Sequence, residues 1–195
     1  MDSMSALGVE VKDLNYYMDI LSNAQNRSNT TASDLMEAYI ACGGTLKDLG
    51  VSLEESSTLL GVMANRGVKA SESGNALNSI LINLTKKGGE SADALEQMGI
   101  SAFDAEGNFK GITPVLQEVN NAFANMTEEQ KTNYASMIAG KTQITGFRAL
   151  LSGLSQEYGT LYNAQQNATG ALEEMYNVMN NNTQGKIEAL ILGAV

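Results

Sequence analysis

The chain has 195 residues, a formal net charge of −10, no histidine, one cysteine and one proline. Lys and Arg must neutralise phosphates in a nucleic-acid complex, so an acidic chain with a sequence pI of about 4.4 reads against nucleic-acid binding and against contact with an anionic membrane. Without histidine there is no Ser-His-Asp or Cys-His apparatus, no histidine zinc site and no imidazole general base, and the lone Cys42 excludes thiolate metal clusters and an internal disulfide.

A single proline, few β-branched runs and only 6% aromatic residues predict an all-α fold with an aliphatic core. The architecture expected is a multi-helix bundle of antiparallel helical hairpins, with one small β-hairpin near residues 100–111. Residues 1–12 read as a short helix or an unstructured lead-in. Asp13 can cap a helix whose inward face is Leu14, Tyr17, Met18 and Leu21. After the polar loop at residues 26–32, Ser33 opens a helix with Leu35, Ala38, Tyr39 and Cys42 inward. The Gly43-Gly44 pair is expected to interrupt it, with Leu46 and Leu49 in a shorter segment ending at Gly50.

The stretch from Val51 to Leu84 organises the rest. Ser52 and Glu55 have capping-box spacing, and Leu59, Leu60 and Met63 form a helical stripe. Its polar face would show Glu54, Glu55, Ser56, Ser57 and Thr58. Gly67 ends this helix and Val68 packs back on its last turn. Ser71 can cap a second helix, with Leu77, Ile80, Leu81 and Leu84 inward. Two amphipathic helices joined by a short turn make a hairpin, and neither stripe is stable alone in water.

A loop at Lys86-Lys87-Gly88-Gly89 precedes a short helix from Ser91 to Met98, with Leu95 and Met98 inward and Gly99 as its stop. Apolar segments at Ile100–Phe103 and Phe109–Gly111 flank an Asp/Gly/Asn turn, the pattern of a β-hairpin. Asp104 and Glu106 resemble half a calcium loop, but the spacing and the bidentate terminal Glu are missing. A turn whose Asp bonds its own backbone accounts for them. Thr113-Pro114 starts a helix with Leu116, Val119 and Phe123 inward. Thr127 and Gln130 give another capping box before Tyr134, Met137 and Ile138, and Gly140 ends that helix. Ile144, Phe147, Leu150, Leu151 and Leu154 mark the next, and Tyr158, Leu161 and Tyr162 another. Thr169-Gly170 breaks or caps it. Leu172, Met175, Tyr176, Met179, Ile187 and Leu190 follow at near-heptad spacing, interrupted by Asn180–Asn182 and Thr183. Residues 1–170 are expected to form a compact helical domain. Residues 171–195 would be a C-terminal helix leading into further chain, because the apolar pattern stops uncapped at Val195.

No candidate catalytic, cofactor-binding or metal-binding residue emerges. The pairs Glu54/Glu55, Glu128/Glu129 and Glu173/Glu174 each fall in the first turn of an expected helix, where the dipole favours negative charge. Adjacent helical residues point apart, whereas glycosidase carboxyls must converge. Cys42 lies on an apolar stripe and reads as a buried small hydrophobe. The run from Thr45 to Val62 has the cadence of a helix-turn-helix, but its acidic and hydroxylic face opposes DNA. The Asn-X-Ser/Thr triplets at Asn26, Asn29, Asn83, Asn125, Asn167 and Asn181 read as chance matches. Met1 is followed by polar residues rather than by the basic-then-apolar run of a secretion leader.

Taken together, Gly50 to Glu55, Ala64 to Gly67, Gly74 to Leu77, Leu95 to Gly99, Phe103 to Phe109 and Thr113 to Leu116 resemble, in order and spacing, the core of phage tail tape measure proteins. The Gly-punctuated Met137 to Gly153 is similar to the segment that follows there. The resemblance covers roughly residues 30–155, and Gly43-Gly44 departs from it. It implies a non-enzymatic structural domain of a long helical chain that fills the tail tube, sets its length during assembly and is ejected ahead of the DNA. The implied partners are tail tube, tail tip or tail assembly chaperone proteins and further copies of the chain, with no cofactor. The implied locations are the virion tail and, during assembly, the bacterial host cytoplasm. The alternative is a helical protein–protein interaction module with no viral role.

Overall fold

The computed structural model describes residues 2–181. They form eleven α-helices: α1 (Asp2–Leu7), α2 (Leu14–Arg27), α3 (Ala32–Asp48), α4 (Leu53–Ala64), α5 (Ala70–Thr85), α6 (Glu90–Gln97), α7 (Ile112–Phe123), α8 (Glu128–Ala139), α9 (Ile144–Leu154), α10 (Tyr158–Gln165) and α11 (Ala171–Asn181), with a short 3-10 turn at Val11–Asp13. One aliphatic core runs through the bundle. Ile187, Leu190 and Thr183 of the heptad-like pattern lie outside the described residues.

The centre is α4. Nine consecutive residues, Ser56 to Ala64, are buried, so the helix is covered on every side rather than along one stripe. It lies against α2, α3, α5, α9 and α10. The outward face expected for Ser56, Ser57 and Thr58 is therefore corrected. Their hydroxyls donate to carbonyls one turn back: Ser56 to Ser52 at 2.8 Å, Ser57 to Glu54 at 3.1 Å and Thr58 to Glu54 at 2.6 Å. A hydroxyl satisfied by its own helix can enter a core without a separate partner. This burial also removes α4 from any role as a recognition helix.

The most extensive helix pair is α3 with α5, more than α4 with α5. A Cβ on Gly74 of α5 would lie 2.3 Å from the Ala38 carbonyl oxygen of α3, so glycine sets the spacing of that crossing. The interruption expected at Gly43-Gly44 is corrected in the same terms, since α3 runs unbroken from Ala32 to Asp48. Gly43 faces α1, where a Cβ would meet the Ala6 Cβ at 2.9 Å and the Ala6 carbonyl carbon at 3.0 Å, whereas Gly44 faces open space. Hence Gly44→Ala is expected to stabilise the protein by about 0.5–1 kcal/mol through helix propensity alone. Gly43→Ala should be destabilising because it lifts α1 away. Urea titration of both variants checks this, and equal effects would refute the assignment.

Helix ends follow the sequence unevenly. At Gly67 (φ +86°) the Val68 N–H donates to Met63 O at 3.1 Å and the Gly67 N–H to Ala64 O at 3.0 Å. This bond pair needs a left-handed residue at Gly67, and Val68 is buried beneath it. The capping box at Thr127 and Gln130 forms as expected. At α3 the cap is Thr31 with Asp34, two residues before Ser33. Asp13 precedes α2 but makes no side-chain cap, and Leu14 is exposed. Helix α5 begins at Ala70, so Ser71 lies inside its first turn and caps nothing.

The β-hairpin expected near residues 100–111 is corrected. Only an isolated antiparallel bridge between Phe103 and Phe109 forms, and no strand is present among the described residues. A ladder would need the Asn108 N–H on the Asp104 carbonyl. That N–H goes to the Asp104 carboxylate instead, at 2.8 Å, while the carbonyl accepts from Gly107 at 3.1 Å. The segment then enters α7 at Ile112, so the pairing cannot extend. A short two-stranded unit has little stability of its own.

Candidate interaction surface

The residues that tie the bundle together come from the turn after α4. Asn65 and Arg66 reach the loop between α2 and α3 on one side and the residues just before α10 on the other. The Arg66 guanidinium pairs with Glu157, with both side chains largely shielded, and donates to Gln156 at 2.8 Å. The Asn65 side chain donates to Glu157 at 2.8 Å and accepts from the Asn29 backbone at 2.7 Å. Gly153 makes room for this network, because a Cβ there would lie 2.2 Å from Val62 and 2.8 Å from the Arg66 guanidinium. The sequence marks this turn by the Gly67 stop, by Val68 and by the Ala64 to Gly67 motif, but not by its polar contacts. The polar role of Asn65, Arg66 and Glu157 has no local signal, since the partners are 92 and 91 residues apart.

The Glu54/Glu55 pair diverges. Glu54 accepts from the Tyr16 hydroxyl and Glu55 from the Thr113 hydroxyl at 2.6 Å. Ser52 caps α4 through the Glu55 N–H at 3.1 Å, but the Glu55 side chain turns to α7, so the capping box is half formed. Thr113 lies 3.0 Å from the Tyr158 hydroxyl, which joins α4, α7 and α10. Burial, with the Glu55 charge nearby, pushes the Tyr158 phenol up to about 12. Thr113→Val keeps the shape and takes the hydroxyl donor from the half-buried Glu55, leaving it only the long backbone N–H contact at 3.4 Å. It is expected to cost about 1–3 kcal/mol, read by urea titration; an unchanged midpoint would show the network to be idle. Glu128 holds Lys131 at 2.9 Å on the surface, and that ammonium keeps its carboxyl below the ordinary carboxylate range.

The Asp104 carboxylate is committed to Asn108, accepting from its N–H and, at 3.2 Å, from its side chain. These bonds hold its pKa below the usual value. No group of three or more His, Cys, Asp or Glu is placed to hold a metal ion among the described residues. Cys42 is buried and its thiol points to the Ala38 carbonyl at 3.2 Å. Burial pushes that thiol up to about 12, which suppresses the reactive thiolate.

One apolar surface left open is on α11. Asp19 of α2 accepts from the Gly170 N–H at 2.9 Å and the Leu172 N–H at 3.0 Å. Its carboxylate thus caps the start of α11 from 151 residues away, with favourable charge at the helix N-terminus. Gly170 itself breaks the chain between α10 and α11. Beyond this anchored first turn, Tyr176, Val178 and Met179 are 65%, 64% and 60% exposed. A groove of about 550 Å³ runs between α2 and α11, lined among others by Asn23, Arg27, Met175 and Met179. Exposed apolar side chains beside a groove are a feature of association surfaces. Among the described residues no helix is long and apolar enough to cross a membrane.

A family model described as phage-related minor tail protein matches residues 1–140, and the chain belongs to that family. It is 28% identical over 188 residues to the tape measure protein of Pneumococcus phage Dp-1, covering 96% of the chain and 16% of that relative. It is 25% identical over 174 residues to the probable tape measure protein of Escherichia phage P2, covering 88% of the chain and 21% of that relative. The chain thus spans about a sixth to a fifth of these relatives' lengths. No solved structure matches it.

Proposed function

We propose that this chain is a structural, non-enzymatic segment of a phage or prophage tail tape measure protein, acting in tail assembly and tail-length determination. One observation carries the reading: nearly the whole chain aligns within a tape measure protein several times its length. The same match favours it over a helical adaptor with no viral role. Residues 1–170 form the compact unit, and residues 171–195 lead into the rest of a longer protein. An extended helix measures ~1.5 Å per residue, so long helical stretches can encode tube length. A compact bundle adds little to such a measurement, and its role is to dock. Its partners are the tail tube, the tail tip or the assembly chaperones, together with further copies of the chain. It works in the host cytoplasm during assembly and in the virion tail afterwards, without nucleic-acid or membrane contact. The open face of α11 is the surface offered for docking.

In-frame deletion of this region from the parent gene, with tails imaged by electron microscopy, tests the reading. Loss of assembled tails is expected. Otherwise normal tails shortened in proportion to the deleted residues would refute docking.

A further inference from the structure

The loop between α5 and α6 carries a feature that the assembly role does not use. The Ser91 hydroxyl is the one buried side-chain polar atom without a hydrogen-bond partner among the described residues, and the residue is only 5% exposed. It sits in the first turn of α6, whose preceding residue, Gly89, supplies no side-chain cap. Ser91 lines a pocket of about 280 Å³, together with Lys86 and Gly88–Glu90 on one side and Ser136, Gly140 and Lys141 on the other. The N–H groups of a helix's first turn have no partner within the helix and carry the positive end of its dipole. A Cβ on Gly88 or Gly89 would meet nothing within 4 Å, so the backbone is bare where a ligand would approach. Lys86 and Lys141 make no ion pair among the described residues. Glu90, exposed at the first helical position, is the one carboxylate on the lining. In a chain of net charge −10, two lysines, the start of α6 and the residue carrying an unpaired buried hydroxyl line one pocket.

We propose that this pocket binds a small oxyanion, a phosphate or a carboxylate, held by the first-turn N–H groups of α6 and the Ser91 hydroxyl, with Lys86 and Lys141 as counter-charges. Helix N-termini bind such groups because donors and dipole act together. A partner's acidic side chain and free phosphate present the same chemistry, and the probes below separate them.

The test is an amide NMR titration of the 195-residue chain with sodium phosphate and, separately, sodium acetate, each against sodium chloride at matched ionic strength. Saturable shifts centred on Glu90, Ser91 and Ala92 are expected. The double variant Lys86→Ala/Lys141→Ala should bind about tenfold more weakly, a loss on the scale of one charge-assisted contact. Binding of phosphate alone assigns a tetrahedral ligand, and equal binding of acetate assigns a carboxylate. A second measurement separates a site from a packing flaw. Without anion, Ser91→Ala should melt no lower than the parent, because an unpaired buried hydroxyl is removed. With phosphate or acetate, the parent should gain melting temperature and Ser91→Ala should gain less. Unsaturated shifts spread over all lysines, identical titrations in the lysine variant, or equal responses to chloride would overturn the proposal.

Discussion

Gly74→Val is expected to destabilise the protein by about 3 kcal/mol or more, the upper range for overpacking. In a chain of this size that is a fall of roughly 6–12 °C in melting temperature. The cause is geometric. A Cβ at Gly74 would lie 2.3 Å from the Ala38 carbonyl oxygen, 2.7 Å from its Cα and 2.9 Å from its carbonyl carbon. All three are backbone atoms of α3 and cannot rotate aside, so α5 must move away from its principal partner. The buried Cys42 of α3 reports on that movement. In the parent its thiol should react with a disulfide reagent only on unfolding, and in Gly74→Val it should react under native conditions. A variant with parental melting and a protected thiol would mean that the crossing is not set by this glycine.

Phe147→Ala is expected to cost about 3–5 kcal/mol. Phe147 is fully buried on α9, and its ring meets Phe123 of α7 edge-on, with centroids 6.3 Å apart and planes at 80°. In a chain with four phenylalanines and no tryptophan, few side chains could fill the resulting cavity. Phe147→Leu should recover most of the loss. Phe123, 7% exposed, should cost less when truncated. A double-mutant cycle between the two should show a coupling of about 0.5–1.5 kcal/mol. Additive losses would show the ring pair to be incidental.

What the sequence discloses and what it withholds divide along chain distance. Apolar spacing located α3, α5, α7 and α9 because each period is written within one helix. The caps at Ser52 and Thr127 and the stop at Gly67 are equally local. Gly43 was misleading because glycine disfavours a helix locally, while its use here is to admit Ala6 of α1. Ser56, Ser57 and Thr58 looked solvent-facing because polarity is visible in a sequence, whereas a hydroxyl turned back on its own helix is not. Asp104 looked like a hairpin turn until its carboxylate took the N–H that a ladder needs. The Asn65–Arg66–Glu157 network and the Asp19 cap join positions far apart in the chain, and nothing nearby announces them. The motifs that resemble tape measure proteins did find the family, but not why they recur. In this fold the Ala64–Gly67 turn supplies both a helix stop and the polar tie to α10.

The complete enclosure of α4 has a consequence for biosynthesis. Part of its wrapping is α2, which leaves the ribosome first, but α9 and α10 are translated some eighty residues or more after it. Until they emerge, Val62 and Met63, which lie against Gly153 and Gly146 of α9, present a sticky flank, and closure waits on distant sequence, which slows folding. Nascent chains interrupted before Ile144 would carry that flank uncovered and aggregate readily.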